Sequence, residues 1–311
     1  MATISVAWSC LVIYETAPFR VIVCRGEMMM VFEKARAKIN LTLDVIDKRS
    51  DGYHEVEMTM QTIDLCDYIS ISKNKNPGIE IRSNALYMPT DERNLAYRAA
   101  DLLASRAGIV PHIVIDIDKR IPISAGLGGG STDAAAVMRG LNKFWNLGLT
   151  AQQLREIGAQ IGSDVPFCVT GGTAIARGRG EVIEEVGESP ALWTVLAKPP
   201  IAVSTADVYG NLRVDQIKSH PRAKLMIDAL AHHSMQGVAD AAGNVLEPVT
   251  MGLYPEVAKV KDHMQRLGAQ VVLMSGSGPT VFGLFEREQR AKRVYTTMRS
   301  LFKEVFLCQT C

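Results

Sequence analysis

The stretch "IPISAGLGGGSTDAAA", from Ile121 to Ala136, decides how the rest of the chain is interpreted. Four glycines stand within the five residues Gly126–Gly130, and a serine, a threonine, an aspartate and three alanines follow at once. Glycine brings bare backbone N–H groups close to a ligand, and the alanines favour a helix that Ser131–Asp133 can cap. Such a helix start attracts anions through its free N–H groups and partial positive charge. The stretch therefore predicts a phosphate-binding loop, because a plain strand-to-helix turn needs fewer glycines.

The common nucleotide-binding patterns do not describe this loop. A Walker loop requires a lysine after its glycines, and none follows here. The dinucleotide pattern G-x-G-x-x-G lacks its last glycine, because Ser131 stands at that position. The H-R-D and D-F-G elements of protein kinases are also absent from the sequence. We therefore expect a phosphate-binding loop of another class.

Composition excludes several classes of protein. The 311 residues suggest two domains or one large one, and 47% hydrophobic residues are enough for their cores. A formal net charge of +1 argues against a nucleic-acid partner, and no apolar run approaches the ~18 residues of a membrane span. The six cysteines are scattered, which favours a reducing cytoplasm over a disulfide framework. We expect a cytoplasmic protein that binds neither nucleic acid nor membrane.

Periodicity predicts a mixture of strands and helices. "AKINLTLDV", from Ala37 to Val45, alternates apolar and polar residues and predicts a strand with one apolar face. Asn94–Arg106 predicts a helix, and a capping box at Thr150–Gln153 opens a second helix that we expect to stop at Gly162. Hairpin-like strands interleaved with helices favour an α+β fold over a doubly wound sheet.

The domain organisation is predicted from local composition. Gly187–Pro190 resembles a linker, so we expect domains at 28–190 and 191–311. Residues 1–27 show no clear patterning and are interpreted as an N-terminal extension of uncertain status, translated from an upstream start. Met28–Met30 would then be the usual start.

Three motifs in order carry a family resemblance. "PISAGLGGGSTDAAA" resembles the second motif of the GHMP kinases, "MSGSGPTVFGLF" resembles their third, and "AKINLTL" their first. The resemblance implies a two-lobed fold, with an N-terminal lobe like the second domain of ribosomal protein S5 and a ferredoxin-like C-terminal lobe. It also implies phosphorylation of a small alcohol with ATP and Mg²⁺, by a monomer or weak homodimer.

Other segments narrow the expected substrate. "AKINLTLDVIDKRSDGYHEVEMTMQTIDL", "GSDVPFC" and "KPPIAVSTADVY" resemble the family branch whose substrate is a methylerythritol linked to cytidine diphosphate. That branch phosphorylates the 2-hydroxyl of its substrate in the non-mevalonate route to isoprenoid precursors. Another GHMP kinase, such as a homoserine kinase, and a non-catalytic sensor on the same fold are the alternatives. The sequence departs from the family pattern at Arg36, usually proline, and at Thr132, usually serine.

The resemblance assigns two catalytic residues. Asp164 would accept the proton of the attacking hydroxyl, and Lys38 would hold Asp164 ionised and stabilise charge on the transferring group. From the residues alone, Asp164 also fits a turn aspartate, and Lys38 fits a solvated charge on a half-exposed strand.

The binding residues follow from the same motifs. The nucleotide would contact Asn94, Pro122, Ile123, Ser124, Ala125, Gly126, Leu127, Gly128, Gly129, Gly130, Ser131 and Thr132, and Thr132 would also be the metal ligand. Asn94 fits a helix cap equally well. The substrate would contact Asn40, Tyr53, His54, Thr205 and Tyr209, with Tyr209 stacked on the cytosine ring and His54 hydrogen-bonded to the base.

Overall fold

A computed structural model describes residues 11–16, 19–24, 27–187 and 189–311, with side chains from residue 30 onward. The strands are β1 (Leu11–Thr16), β2 (Phe19–Cys24), β3 (Glu27–Lys48), β4 (His54–Lys73), β5 (Gly78–Ser83), β6 (His112–Asp118), β7 (Thr173–Gly178), β8 (Val182–Glu185), β9 (Trp193–Lys198), β10 (Gly243–Asn244), β11 (Val271–Met274), β12 (Val281–Phe285) and β13 (Glu304–Gln309). The helices are α1 (Leu95–Ala107), α2 (Gly129–Phe144), α3 (Ala151–Gly158), α4 (Val165–Thr170), α5 (Thr205–Asn211), α6 (Ala223–Ala231), α7 (Met235–Ala241), α8 (Glu247–Leu253), α9 (Pro255–Arg266) and α10 (Glu288–Leu301). A 3-10 turn occupies Val214–Gln216. These elements confirm the α+β prediction.

The chain divides into two compact units that are discontinuous in sequence. The first contains the described residues up to Arg36, together with Cys66–Ile121 and Gly130–Thr170. The second contains Ala37–Leu65, Pro122–Gly129 and Gly171–Cys311. The division predicted near residue 190 stays a prediction. Among the described helices, none has the length and apolar character that crossing a membrane requires.

In the first unit, β6 pairs antiparallel with the second half of β4 and parallel with β5. Alternating isoleucines at 69, 71, 113 and 115 of these strands are almost fully buried. Helix α1 buries alanines and a leucine along one face and ends at Gly108, whose φ of 64° gives a left-handed cap. Helix α3 begins with the predicted capping box at Thr150 and Gln153.

In the second unit, β7 pairs antiparallel with the first half of β4 and with β8. A separate four-stranded sheet has the order β11-β12-β9-β13, with antiparallel neighbours. Helices α9 and α10 contact this sheet. Its core includes Phe282 and Phe285, both fully buried.

The structure corrects three local predictions and adds one hairpin within the predicted N-terminal extension. Within strand β3, residues 37–45 are buried on both faces, because Lys38 and Asn40 on the polar side are 4% and 0% exposed. Helix α2 begins at Gly129, so Ser131–Asp133 lie inside it and do not cap it. Helix α3 ends at Gly158, and turns continue the chain to Gly162. Within the 1–27 segment, β1 and β2 form an antiparallel hairpin whose second strand pairs with β3. Residues 1–10, 17–18 and 25–26 of that segment lie outside the described residues.

Candidate active site

The glycine loop is anchored in the second unit by two other segments of the chain. On one side, the N–H of Lys38 in β3 donates to the carbonyl of Leu127 at 3.0 Å. On the other, the Ser275 hydroxyl donates to the carbonyl of Gly126 at 2.9 Å, and the N–H of Thr280 donates to that of Ala125 at 3.4 Å. The first and third motifs therefore both contact main-chain carbonyls of the second motif.

Two positions in this loop require glycine. Gly126 has φ of +75°, and a Cβ built on it would lie 2.2 Å from the carbonyl oxygen of Ser275. Gly128 has φ of +70°, and a Cβ there would lie 3.0 Å from Cγ of Lys38. Side chains rarely adopt such φ values, so only glycine permits this approach of loop and lysine.

Lys38 and Asn40 form a buried polar pair beside the loop. Lys38 Nζ donates to Asn40 Oδ1 at 2.8 Å, and Asn40 Nδ2 lies 3.0 Å from the sulfur of Met58. Burial of Lys38 rules out the solvated-charge interpretation. A buried ammonium group costs desolvation energy, and it acts more strongly on nearby charge than a solvated one. The pair is thus suited to stabilise a phosphoryl group held by the loop.

The glycine turn Ser275–Gly278 of the third motif is held by a residue that the sequence analysis missed. Asn244 Nδ2 donates to the carbonyls of Met274 and Gly276, each at 2.8 Å. A Cβ built on Gly276 would lie 3.5 Å from Asn40 Oδ1, which places the turn against the buried polar pair. Only the lone asparagine in the apolar segment "GNVLEPV" signalled this role. The Thr205 and Ser277 hydroxyls are 2.8 Å apart, so the predicted substrate residue Thr205 reaches the same turn.

Two of the predicted cytidine-binding residues, His54 and Tyr209, form an aromatic cluster in the second unit. The rings of His54 and Tyr209 have centroids 5.0 Å apart and planes inclined by 35°. Burial, and in smaller part Lys48, lower the pKa of His54 below its ordinary 6.5. The neutral ring offers one donor and one acceptor to a base. The guanidinium of Arg179, which the sequence analysis missed, lies 4.9 Å from the ring centroid of Tyr53.

The first unit carries the other predicted site residues, including Asn94 and Ser131. Asn94 caps α1, because its Oδ1 accepts from the N–H of Ala96 at 2.9 Å while its Nδ2 donates to the carbonyl of Pro89 at 2.8 Å. The cap interpretation is thereby confirmed, and the adenine contact stays a prediction. A Cβ built on Gly162 would lie 4.0 Å from Ser131 Oγ, which places the turn before α4 beside the start of α2.

Asp164 and Thr132 also belong to this unit. The Asp164 carbonyl accepts from the N–H of Cys168 at 3.2 Å, so Asp164 lies at the start of α4. The Thr132 hydroxyl donates to the carbonyl of Arg36 at 2.7 Å. Any residue at position 36 supplies that carbonyl, and the departure from proline is therefore compatible with the contact.

The predicted residues divide between the two units. The first holds Asn94, Gly130, Ser131, Thr132 and Asp164, and the second holds Lys38, Asn40, Tyr53, His54, Pro122, Ile123, Ser124, Ala125, Gly126, Leu127, Gly128, Gly129, Thr205 and Tyr209. Among the residues that the structure describes, no group of three or more His, Cys, Asp or Glu side chains could hold a metal ion. The described His, Cys, Asp and Glu side chains therefore form no metal cage of their own.

Comparisons with known proteins identify the family of this chain. Residues 94–172 match the GHMP kinases N terminal domain, and residues 226–304 match the GHMP kinases C terminal domain. The chain is 54% identical over 278 residues to 4-diphosphocytidyl-2-C-methyl-D-erythritol kinase of Bacillus cereus strain B4264. The alignment covers 89% of this chain and 96% of the relative. The protein of the same name from Bacillus mycoides is 53% identical, and that alignment covers the same percentages of the two chains.

Solved structures show the same fold. A crystal structure of 4-(cytidine 5'-diphospho)-2C-methyl-D-erythritol kinase is similar with a TM-score of 0.78 and 33% identity, covering 90% of this chain and 98% of that one. A homoserine kinase from Cytophaga hutchinsonii is similar with a TM-score of 0.70 and 19% identity, covering 90% of this chain and 93% of that one. The similarity to the homoserine kinase shows a shared fold only.

Proposed function

The chain belongs to the GHMP kinases, and from that membership we propose that it transfers the γ-phosphoryl group of ATP to the 2-hydroxyl of 4-diphosphocytidyl-2-C-methyl-D-erythritol. One observation carries the proposal: identity of 54% across 96% of a relative that bears this activity in its name. The product would be the 2-phosphate and ADP, in the synthesis of isoprenoid precursors. Compartment and oligomeric state stay predictions.

The aromatic cluster supports a cytidine-bearing substrate. Tyr209 presents a ring on which a cytosine can stack, and such stacking is worth about 1–3 kcal/mol per base in nucleic-acid complexes. His54, kept neutral by its lowered pKa, supplies a donor and an acceptor for the edge of the base. Neither homoserine nor mevalonate carries a base that this cluster would recognise.

The reaction needs little covalent chemistry from the protein. The oxygen of the acceptor hydroxyl forms a bond to the γ-phosphorus, the bond from that phosphorus to the β–γ bridging oxygen breaks, and ADP leaves. Asp164 accepts the hydroxyl proton, and Lys38 stabilises negative charge on the transferring group. Positioning and charge stabilisation dominate such transfers, because their transition states are loose. The buried Lys38–Asn40 pair supports the role given to Lys38.

Divalent metal enters this proposal as part of the substrate. Mg²⁺ commonly keeps several waters and binds through substrate phosphates and one or two protein oxygens. That mode suits a site whose described side chains form no cage of their own. Thr132 as a metal ligand stays a prediction. Its hydroxyl hydrogen is directed to the carbonyl of Arg36, and its oxygen lone pairs are the part of the group that a metal would use.

A substrate panel tests the function. Purified protein is supplied with ATP and Mg²⁺, and ADP release is followed with the cytidine substrate, homoserine and mevalonate in turn. We expect turnover with the cytidine substrate alone, and mass spectrometry should show one added phosphate. Faster turnover of homoserine would favour the other kinase, and nucleotide binding without turnover of any acceptor would favour the sensor.

A further inference from the structure

A buried lysine joins the segments on either side of the glycine loop. Lys119, just before the loop, places Nζ 2.5 Å from Asp67 Oδ2 and 2.7 Å from Asp133 Oδ2. The three side chains are 7%, 0% and 3% exposed, and all belong to the first unit. The reaction described above does not use this cluster.

Asp67 holds the chain where it enters the loop. Its Oδ1 accepts the N–H of Arg120 at 2.5 Å and that of Ile121 at 2.8 Å. With Lys119 on its other oxygen, Asp67 contacts three consecutive residues that lead directly into Pro122. The entry is thus fixed in both direction and register.

Asp133 holds the chain where it leaves the loop. It lies in the first part of α2, 14 positions after Lys119, so their contact closes the intervening loop. Four of the residues between them are the glycines of the loop, which lose more conformational freedom on ordering than other residues. Fixing both ends lowers the entropy that remains to be lost when the loop binds a ligand.

The charges show that the cluster is costly to maintain. Two carboxylates face one ammonium group, and Asp133 Oδ1 has no hydrogen-bond partner among the described residues. Burial, with the neighbouring carboxylate of Asp67, raises the pKa of Asp133 to about 8. An asparagine at 133 therefore resembles the neutral form of this side chain and keeps an oxygen for Lys119.

We propose that Lys119, held between Asp67 and Asp133, staples the two ends of the glycine loop and so positions that loop to bind the nucleotide phosphates. Lys119 and Asp133 are positioning residues in this account, since they act through the loop backbone. The inference rests on the proposed kinase function for the identity of the ligand.

Two substitutions at one position test the staple. Asp133→Leu removes the contact to α2 but leaves Lys119 paired with Asp67, so the fold should persist. Asp133→Asn keeps an acceptor for Lys119. Calorimetry with ADP and with a non-hydrolysable ATP analogue should show the Kd of Asp133→Leu rising by about tenfold or more, the equilibrium equivalent of one hydrogen bond to a charged group. Asp133→Asn should stay within about twofold of the parent, because it retains that hydrogen bond.

A second ion pair on the same helix supplies the matched control. Lys143 in α2 lies 2.7 Å from the buried Glu33, which Arg139 also contacts, and Lys143→Met should leave nucleotide affinity unchanged. Kinetics should show a raised KM for ATP in Asp133→Leu with an unchanged KM for the acceptor. Lys119→Arg should keep the parent affinity, since it retains the charge.

The outcomes separate the staple from the function. A folded Asp133→Leu protein that binds ADP like the parent overturns the staple, and so does an equal loss of affinity in Lys143→Met. A parent protein that binds ADP but turns over no cytidine substrate overturns the proposed function, while the calorimetric comparison still tests the staple.

Discussion

Lys38 Nζ donates a 2.8 Å hydrogen bond to Asn40 Oδ1, two residues along the same buried strand. The contact fixes the ammonium group on the side of β3 that faces the glycine loop, where Gly128 approaches the lysine stem. Because the group is buried, its charge is poorly screened by water. This relationship places a fixed positive charge beside the predicted phosphate site.

Lys38→Met should lower kcat by about 10²–10³, the usual loss when one preorganised charge-stabilising donor is removed. Methionine keeps most of the stem, so folding should be retained. Lys34→Met is the control, because Lys34 is an exposed residue of the same strand. Steady-state kinetics on both variants test this role. A Lys38→Met enzyme with nearly normal kcat would show that Lys38 does not stabilise the transition state.

Asp164→Asn should lower kcat by about 10²–10⁴, the range for a positioned acid–base group. The amide keeps the shape but accepts a proton poorly, and nucleotide affinity measured by calorimetry should change little. The double variant with Lys38→Met should lose less than the product of the two single losses, since residues that act as a unit are not additive. Strictly multiplicative losses would show that the two residues act independently.

Gly128→Ala and Gly148→Ala separate backbone strain from the contact with Lys38. The two glycines have φ of +70° and +67°, so each alanine should cost a similar ~1–2 kcal/mol of stability. A Cβ at Gly128 meets the stem of Lys38, whereas one at Gly148 meets no atom within 4 Å. The midpoint temperature of thermal unfolding should therefore fall by a similar amount in both variants. Only Gly128→Ala should also lower kcat. Similar kcat values in the two proteins would show that the approach of the loop to Lys38 is unimportant.

The pH dependence of acceptor binding should report His54. Its pKa lies below 6.5, chiefly because of burial, so the ring is neutral at pH 7 and becomes charged only as pH falls through that lowered value. The charged ring loses its acceptor for the base. The KM for the cytidine substrate should be flat from neutral pH upward and rise in acid, whereas His54→Gln should show no such rise. The KM for ATP, measured in the same assays, should not follow this profile.

Local sequence determined the glycine loop, the motifs, the bounds of α1 and the start of α3. Positive φ at Gly126 and Gly128, the cap at Asn94 and the capping box at Thr150 each depend on a few neighbouring residues, so their physical causes are present in the sequence. The family resemblance added the predicted roles of Lys38 and Asp164, which spacing alone left open.

Tertiary structure decided which polar residues are buried and what they contact. Alternation in β3 predicted a solvated face, but Lys38 lies against the glycine loop and Asn40 against the turn that Asn244 holds. Elements distant in sequence therefore cover that face. The joining of Lys119 to Asp67 and Asp133 likewise spans 52 and 14 positions. A local pattern cannot report such contacts, since they depend on which segments the folded chain brings together.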